Sequence, residues 1–120
     1  MARKQLGAEG EKRAADFLIA RGYQIVARNW RCHVGEADLV AEQGGDLVII
    51  EVRTRRGNAA ADLALASINP AKQAKLRQLA LAYQALHDLE EMGLRVDIVT
   101  VALTSTGAQI TLIENALSEE

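Results

Sequence analysis

The segment "DLVIIEVRT", residues 46–54, limits most narrowly what this chain can fold into. In an extended strand, alternate side chains point to opposite faces of the sheet. Leu47 and Ile49 would therefore lie on one face. Val48 and Ile50 would lie on the other. A strand that is apolar on both faces is typical of the centre of a sheet covered on both sides, so this segment predicts a central strand.

Two helices are predicted around the strands. The first spans residues 6–21, and Gly22 follows it as a C-terminal cap. Asn69 followed by Pro70 is typical of a helix start, with proline at the first helical position. This second helix is predicted to run to about Met92.

The other strands follow from further apolar runs. Five strands are predicted in all, over residues 23–30, 36–42, 46–54, 95–103 and 108–114. The Gly44-Gly45 pair predicts a tight hairpin between the second and third strands. Residues 56–68 are small and irregular and are predicted to form a loop. The order αβββαββ predicts one α/β domain over residues 1–120, with helices packed on a mixed sheet.

Composition agrees with a compact intracellular protein. At 49% hydrophobic residues the chain can bury a core, yet no apolar run approaches the roughly 18 residues that span a bilayer. The first sixteen residues contain no apolar stretch typical of a secretory signal. Cys32 is the only cysteine, which fits a reducing compartment. We therefore predict a cytoplasmic protein without a membrane partner.

Charge is distributed unevenly along the chain. Residues 1–31 carry seven Arg or Lys against three Asp or Glu, whereas residues 32–50 carry four acids and no Arg or Lys. Residues 51–77 are basic again, with six Arg or Lys against two acids. Two basic segments that flank an acidic one are typical of a polyanion-binding protein with a metal site. The alternative is ordinary solvated charge, which the net charge of −2 favours.

Acidic residues interrupt the apolar strands where a core is expected. Glu51 shares the face of Leu47 and Ile49, so it points at a covering layer and not at bulk water. A hairpin through the glycine pair would bring Asp38 beside Glu51, with Arg53 one step further along the same face. The sequence therefore predicts a cluster of charged side chains at one end of this strand pair.

The helices add one charged residue each to this prediction. Glu11 lies on the same helical stripe as the apolar residues Ala14, Ala15 and Leu18. In the second helix, Lys72 precedes a stripe that is predicted to be buried. That stripe consists of Leu76, Leu79, Tyr83 and Leu86.

Converging carboxylates are costly to bury unless they are paired, protonated or bound to a cation. Oxygen-rich sites of this kind suit Mg²⁺ or Mn²⁺, which can activate water and polarise a phosphoryl group. The alternative is an internal ion-pair network that joins Glu51 to Arg53 or Arg55 and Glu11 to Lys72. Periodicity and charge leave both interpretations open.

Several sequence blocks resemble the bacterial YraN-like family of unknown function, which is predicted to belong to the PD-(D/E)XK nuclease superfamily. These blocks are "GAEGEKRAADFLIARGYQIVARNWR", "GEADLVAE", "LVIIEVRTR", "INPAKQAKL" and "RVDIVTV". The resemblance covers nearly all of the chain and implies a restriction-endonuclease-like, three-layer αβα fold. It also implies a metal site formed by Asp38, Glu51 and the main chain at Val52. Glu11 resembles the first-helix acid of junction-resolving superfamily members, whereas Glu36 matches a family block without an assigned role.

The chain departs from the family pattern at one position of the site. The family usually reads "EVKTR", and this chain reads "EVRTR". The superfamily's lysine is thought to position or deprotonate the attacking water, but an arginine stays protonated, so Arg53 cannot act as a base. Arg53 can still hold a water or stabilise developing charge. Lys72 is a candidate to supply an amine from the helix.

Basic residues near the acidic cluster are candidates for nucleic-acid contacts. Arg55 and Arg56 would meet phosphates at the mouth of the site, although solvated surface charge explains them equally well. Lys72 and Lys75 would add contacts from the second helix.

Four further residues favour structural over functional interpretations. Trp30 is expected to cover the core edge and His33 to lie in an exposed loop. Cys32 has no partners typical of a nucleophile. Asp97 is expected to pair with Arg95 or Arg28 in a structural role.

The resemblance and the charge pattern together predict a metal-dependent endonuclease-like protein that acts on DNA, branched or single-stranded. Mg²⁺ or Mn²⁺ is the expected cofactor. The alternative is a catalytically weak or inactive module on the same fold that binds nucleic acid or a partner protein. Junction-resolving members of the superfamily are dimers, which leaves a homodimer open, although the sequence contains no separate dimerisation element.

Overall fold

The secondary-structure elements follow the predicted order αβββαββ. A computed structural model describes residues 3–57, 66 and 68–117. Its helices and strands are α1 (Arg3–Ala20), β1 (Gln24–Cys32), β2 (Gly35–Gln43), β3 (Asp46–Arg56), α2 (Pro70–Leu86), β4 (Gly93–Thr104) and β5 (Gly107–Ile113). The predicted loop over 56–68 lies largely outside the described residues.

The five strands form one mixed sheet in the order β1-β2-β3-β4-β5. Strands β1, β2 and β3 are antiparallel neighbours, β3 and β4 are parallel, and β5 returns antiparallel to β4. Gly44 and Gly45 turn the chain between β2 and β3 with φ values of 61° and 84°, a region that glycine enters without strain. The predicted hairpin is therefore confirmed, and β3 is the central strand.

The core consists of two apolar clusters, one on each face of the sheet. Helix α1 covers a cluster made by Ala14, Ala15, Leu18, Tyr23, Leu39, Ala41, Val48, Ile50, Val99 and Val101. Helix α2 covers a cluster made by Ala37, Val40, Leu47, Ile49, Leu76, Leu79, Ala80, Tyr83 and Val96. The alternation along β3 thus gives a three-layer αβα arrangement, as predicted. Neither helix is apolar enough along its described length to cross a bilayer.

Helix α2 ends at Leu86, so the prediction that it continues to about Met92 was wrong. Asp88 adopts a φ of 55°, and the Leu89 N–H donates to the Gln84 carbonyl, which closes the last turn of the helix. The prediction that Leu86 is buried was also wrong, because its side chain is 64% exposed. It lies at the helix end, and Leu89 and Met92 from the following turn pack against the cluster instead.

Helix α1 approaches strand β3 most closely at Gly10. A Cβ atom added at Gly10 would overlap the side chain of Thr54, whereas one added at Gly7 would meet nothing within 4 Å. This close approach brings the next residue, Glu11, to the end of the sheet where β3 carries its charged residues. Glycine is required at position 10 because of packing, since no unusual φ is involved.

At the opposite end of the sheet, Asp97 is fully buried in a polar network. Its carboxylate accepts from Arg95 Nε at 3.0 Å, from the Tyr23 hydroxyl at 2.7 Å and from the Asn115 N–H at 2.9 Å. The predicted pairing with Arg95 is confirmed. The network ties the start of β4 to the end of α1 and to the segment after β5, so Asp97 has a structural role.

Candidate functional site

The candidate site begins where strands β2 and β3 separate. Their backbone pairing runs along the hairpin and ends at Leu39 and Ile50. Beyond that point the Val52 N–H donates to Asp38 Oδ2 at 2.8 Å. A side-chain carboxylate thus takes the place of a backbone carbonyl on that edge of β3. Because the N–H and C=O of one strand residue point to the same side, the Val52 carbonyl is also directed toward β2.

Glu51 lies beside this opening and is only 4% exposed. Its Oε2 atom is 3.1 Å from Arg53 Nη2 and 3.3 Å from Lys72 Nζ. Lys72 reaches the site from the first turn of α2, which the Asn69 side chain caps by accepting from the Lys72 N–H at 2.9 Å. One carboxylate oxygen therefore receives two cations, one from the sheet and one from the helix.

Asp38 and Glu51 form a carboxyl pair. The pKa of Asp38 is raised from its ordinary value of 3.8 to about 7, and burial is the largest cause. The neighbouring charge of Glu51 and a hydrogen bond between the two carboxyls contribute to the rise, whereas the Val52 N–H and Lys72 oppose it. Two acids this close cannot both be ionised cheaply, so the pair favours a shared proton or a cation.

Glu11, on helix α1, lies near Asp38 and Glu36. Its pKa is raised mainly by burial and then by the charges of Asp38 and Glu36, whereas a hydrogen bond from the Asn29 side chain lowers it. Glu36 itself pairs with Arg31. The structure thus places Glu11 within electrostatic reach of Asp38, as the helical stripe predicted.

A cleft of about 700 Å³ opens at this end of the sheet. It is lined by Leu6, Gly7, Glu11, Val52, Arg53, Thr54, Arg55 and Arg56. One wall is the N-terminal half of α1, and the other is the end of β3. The cleft therefore combines one carboxylate with three guanidinium-bearing side chains, which is a surface suited to an anionic ligand.

The other predicted basic residues lie in different settings. Arg55 donates from Nη1 to the carbonyl of Thr54 at 2.7 Å while still lining the cleft. Lys75 lies against Gly35 at the start of β2, with its Cδ atom 3.5 Å from the position of an added Cβ. Lys75 is thus near the same end of the sheet, but outside the cleft.

Trp30 packs edge-on against Tyr83, with ring centroids 5.0 Å apart, and contributes to the α2 cluster. Its predicted position at the core edge is confirmed. His33 is exposed in the turn between β1 and β2, and Cys32 is half-buried.

The alternative ion-pair network is present in part. Glu51 pairs with Arg53, as that alternative requires. Lys72, however, pairs with Glu51, so the suggested pair between Glu11 and Lys72 was wrong. The reason is geometric, because Glu11 lies on the α1 side of the sheet whereas Lys72 descends from α2.

A divalent cation at this end of the sheet would find only a few oxygen ligands in the part of the chain that the structure describes. Among the described residues, no three or more His, Cys, Asp or Glu side chains are grouped so that they could hold a metal ion. The oxygen atoms nearest this end of the strand pair belong to the Asp38 and Glu51 carboxyls and to the Val52 main chain. Hard oxygen donors of this type suit Mg²⁺ or Mn²⁺ with several waters retained.

Sequence reasoning missed Asn29 and Gly10. Asn29 has a φ of 50° within β1, and its side chain hydrogen bonds Glu11. Asparagine tolerates this backbone region, but a single asparagine in an apolar run gives no signal of it. Gly10 permits the close approach of α1, and its position on the buried stripe was the available clue.

The fold and cleft together define a three-layer α/β protein with an acidic pair at the end of its central strand. A family model described as uncharacterised protein family UPF0102 matches residues 10–101, and the chain belongs to this family. The resemblance to the YraN-like family is thereby confirmed.

The relatives are similar over almost their whole length. A UPF0102 protein of Roseiflexus castenholzii is 45% identical over 111 residues, which is 92% of this chain and 89% of the relative. One from Dehalococcoides mccartyi is 42% identical over 118 residues, covering 98% and 97% of the two chains. One from Chloroflexus aurantiacus is 45% identical over 109 residues, covering 90% and 86%. Their names state no activity.

Proposed function

We propose that this protein is a metal-dependent endonuclease-like enzyme that hydrolyses DNA phosphodiester bonds, on branched or single-stranded DNA. The pair formed by half-buried Asp38 and buried Glu51 is the observation that carries this proposal, because two adjacent carboxyls favour a shared proton or a bound cation. The pair lies beside a cleft that also contains arginines. A divalent cation would neutralise the pair, and DNA would supply the anion for the arginines.

The proposed metal-binding residues are Asp38, Glu51 and the main-chain carbonyl of Val52. A bound Mg²⁺ or Mn²⁺ would supply Lewis acidity toward a phosphoryl oxygen and make a water more acidic. Binding would compete with Lys72 and Arg53, which now neutralise one oxygen of Glu51. Glu11 would orient water or substrate from the α1 side.

Arg53 would act as a fixed positive charge. It lines the cleft and is held by Glu51, so it can stabilise negative charge that develops on a phosphate. It cannot accept a proton, so it does not replace a lysine base. The Lys72 amine, whose Nζ atom is 3.3 Å from Glu51 Oε2, would support the site from α2.

A catalytically weak or inactive DNA-binding module is the second candidate. The observation that favours it is the double neutralisation of Glu51, which gives the acid a structural role without any metal. In that case the cleft would bind phosphates and release them uncleaved.

Cleavage of labelled duplex, single-stranded, flap and four-way-junction DNA tests the proposal. Wild type would be assayed with Mg²⁺ and with Mn²⁺ beside Asp38→Ala and Arg53→Lys. The proposal expects metal-dependent cleavage that Asp38→Ala abolishes and Arg53→Lys increases. If neither wild type nor Arg53→Lys cuts any substrate while both bind DNA, the second candidate is favoured.

A further inference from the structure

Two buried polar atoms on the site side of the sheet lack a hydrogen-bond partner. Among the described residues, the buried side-chain N and O atoms in this condition are Arg53 Nε and Thr100 Oγ1. Thr100 is only 1% exposed. Native proteins rarely bury such groups without a partner, so each of these atoms calls for an explanation.

The two atoms belong to facing residues. Arg53 and Thr100 are partners in the parallel pairing of β3 with β4. Val99 and Val101 point into the α1 cluster, so Thr100 between them points toward α2. Arg53 projects from that same face, two residues beyond Glu51. Both unpaired atoms therefore belong to neighbouring residues on adjacent strands, on the face of the sheet that α2 covers.

We propose that a single ordered water bridges Arg53 Nε and Thr100 Oγ1, which makes Thr100 a positioning residue for Arg53. The Nε–H can only donate, whereas a threonine hydroxyl can donate or accept. A water can accept from Nε–H and still bond the hydroxyl in either sense. Buried waters are typically found between neighbouring polar groups that do not hydrogen bond one another.

The bridge would fix the guanidinium at two points. Glu51 holds Nη2 at 3.1 Å, and the water would hold Nε on the adjacent edge. A planar group held twice keeps one orientation, and Arg53 lines the cleft in that orientation. The value of this orientation for catalysis rests on the proposed function, but the bridge itself can be tested on the protein alone.

The substitution Thr100→Val shows whether a water bridges Arg53 and Thr100. Valine keeps the shape of threonine and removes the hydroxyl. If the hydroxyl is unpaired, this replacement stabilises the fold; if it holds the water, the replacement destabilises the fold because Nε–H loses its partner. Thr100→Ser retains the hydroxyl. Thr111→Val, at the facing position of β5, is the matched control on the exposed side.

The test is a double-mutant cycle with Arg53→Lys, which places a methylene where Nε stands. Urea unfolding is measured without metal or DNA. We expect Thr100→Val to raise the unfolding equilibrium constant on the order of tenfold in the wild-type background and to lose this effect beside Lys at position 53. Thr100→Ser and Thr111→Val should change little in either background.

Stabilisation by Thr100→Val, or an equal effect in both backgrounds, would overturn the proposal. A crystal structure of the wild type gives an independent readout. An oxygen within about 3.2 Å of both atoms supports the bridge, whereas a direct contact or an empty gap refutes it. Neither measurement uses cleavage, so their failure is distinguishable from failure of the proposed nuclease activity.

Discussion

One carboxylate oxygen of Glu51 forms ion pairs with both Arg53 and Lys72. The Asp38 carboxyl hydrogen bonds the Glu51 carboxyl as well. Lys72 acts on both acids, because it pairs with Glu51 and also lowers the pKa of Asp38. The pKa of Asp38 is raised in spite of Lys72, because burial outweighs the nearby amine. Asp38 therefore gains or loses its proton near neutral pH.

The raised pKa of Asp38 predicts how stability depends on pH. The folded state holds a proton on Asp38 up to about pH 7, whereas the unfolded chain releases it near its ordinary value of 3.8. The stabilisation by this proton is full below pH 3.8 and is lost as the pH rises toward 7 and above. We expect the loss to reach on the order of 2–4 kcal/mol, since one pKa unit is worth about 1.4 kcal/mol.

Urea unfolding of wild type and Asp38→Asn between pH 5 and pH 8 checks this prediction. Asn cannot ionise, so the variant should lack this part of the pH dependence and be more stable than wild type at pH 8. A parallel pH dependence in both proteins would show that Asp38 does not titrate in this range.

The substitution Arg53→Lys is expected to change the rate of DNA cleavage. Lysine at this position can release its proton and then act as a base, as the resemblance implies, so cleavage should rise at least about tenfold over wild type. Single-turnover rates on the best substrate measure it. Arg53→Met, which has no charge, is the control and should fall below wild type. A lysine variant no faster than the methionine variant would remove Arg53 from the proposed site.

At the scale of elements, the site depends on how α1 docks on the sheet. The helix crosses β3 at Gly10, where no side chain fits between the helix and Thr54. That close approach places the next residue, Glu11, in the cleft with the end of β3. Helix α2 fixes the other side through the capped first turn that carries Lys72. The two helices approach the acid pair from opposite faces of β3.

Gly10→Ala is expected to destabilise the fold by about 1–3 kcal/mol, because the added methyl overlaps Thr54. Gly7→Ala is the matched control on the same helix and has open space at its Cβ. It should be neutral or more stable by up to about 1 kcal/mol, from the higher helix propensity of alanine. Thermal and urea unfolding measure both. Equal effects of the two substitutions would contradict the close docking of α1 at residue 10.

The elements themselves were predictable where one physical rule dominates. The two-sided apolar pattern of β3 predicted the three layers, and the Gly44-Gly45 pair predicted the hairpin. The end of α2 was not predictable from helical periodicity, because Leu86 continues the apolar stripe although it is exposed. The turn at Asp88 ends the helix there, and apolar residues beyond it still pack on the sheet.

The site was predicted in outline for the same reason. Charged residues in buried strands identified Asp38 and Glu51, and register across the hairpin brought them together. Long-range details could not be read from the chain, since the partner of Lys72 depends on which face α2 covers. The same holds for Thr100, whose facing residue is set by a parallel pairing between distant segments.

At the scale of the whole molecule, charge separates the two ends of the sheet. The cleft end carries Arg53, Arg55 and Arg56 beside the acid pair. The opposite end carries the closed network of Asp97 and Arg95, in which the charges satisfy one another. The proposed function therefore expects an extended polyanion to bind at the cleft end. A homodimer stays a prediction at this scale.

DNA affinity should respond to charge at the cleft end alone. The double variant with Arg55→Glu and Arg56→Glu is expected to bind DNA at least about tenfold more weakly. The slope of log binding constant against log salt concentration should also become shallower, by about one unit for each phosphate that the protein no longer neutralises. Fluorescence anisotropy over a salt series measures both quantities. Arg21→Glu, just after the end of α1, is a single charge reversal away from the cleft and serves as the control. If it weakens binding as much as the double variant, the cleft is not the binding surface.

Calorimetric titration of the DNA-free protein with Mn²⁺ tests the central claim most directly, because the proposed function requires Asp38 and Glu51 to bind a cation. Wild type, Asp38→Asn and Glu51→Gln would be titrated at pH 7.5. We predict one site in wild type, with at least about tenfold weaker binding in each variant. Release of the Asp38 proton on binding should be partial, because pH 7.5 lies above the Asp38 pKa of about 7. Equal Mn²⁺ affinity in all three proteins, or none in wild type, would contradict the proposed metal site.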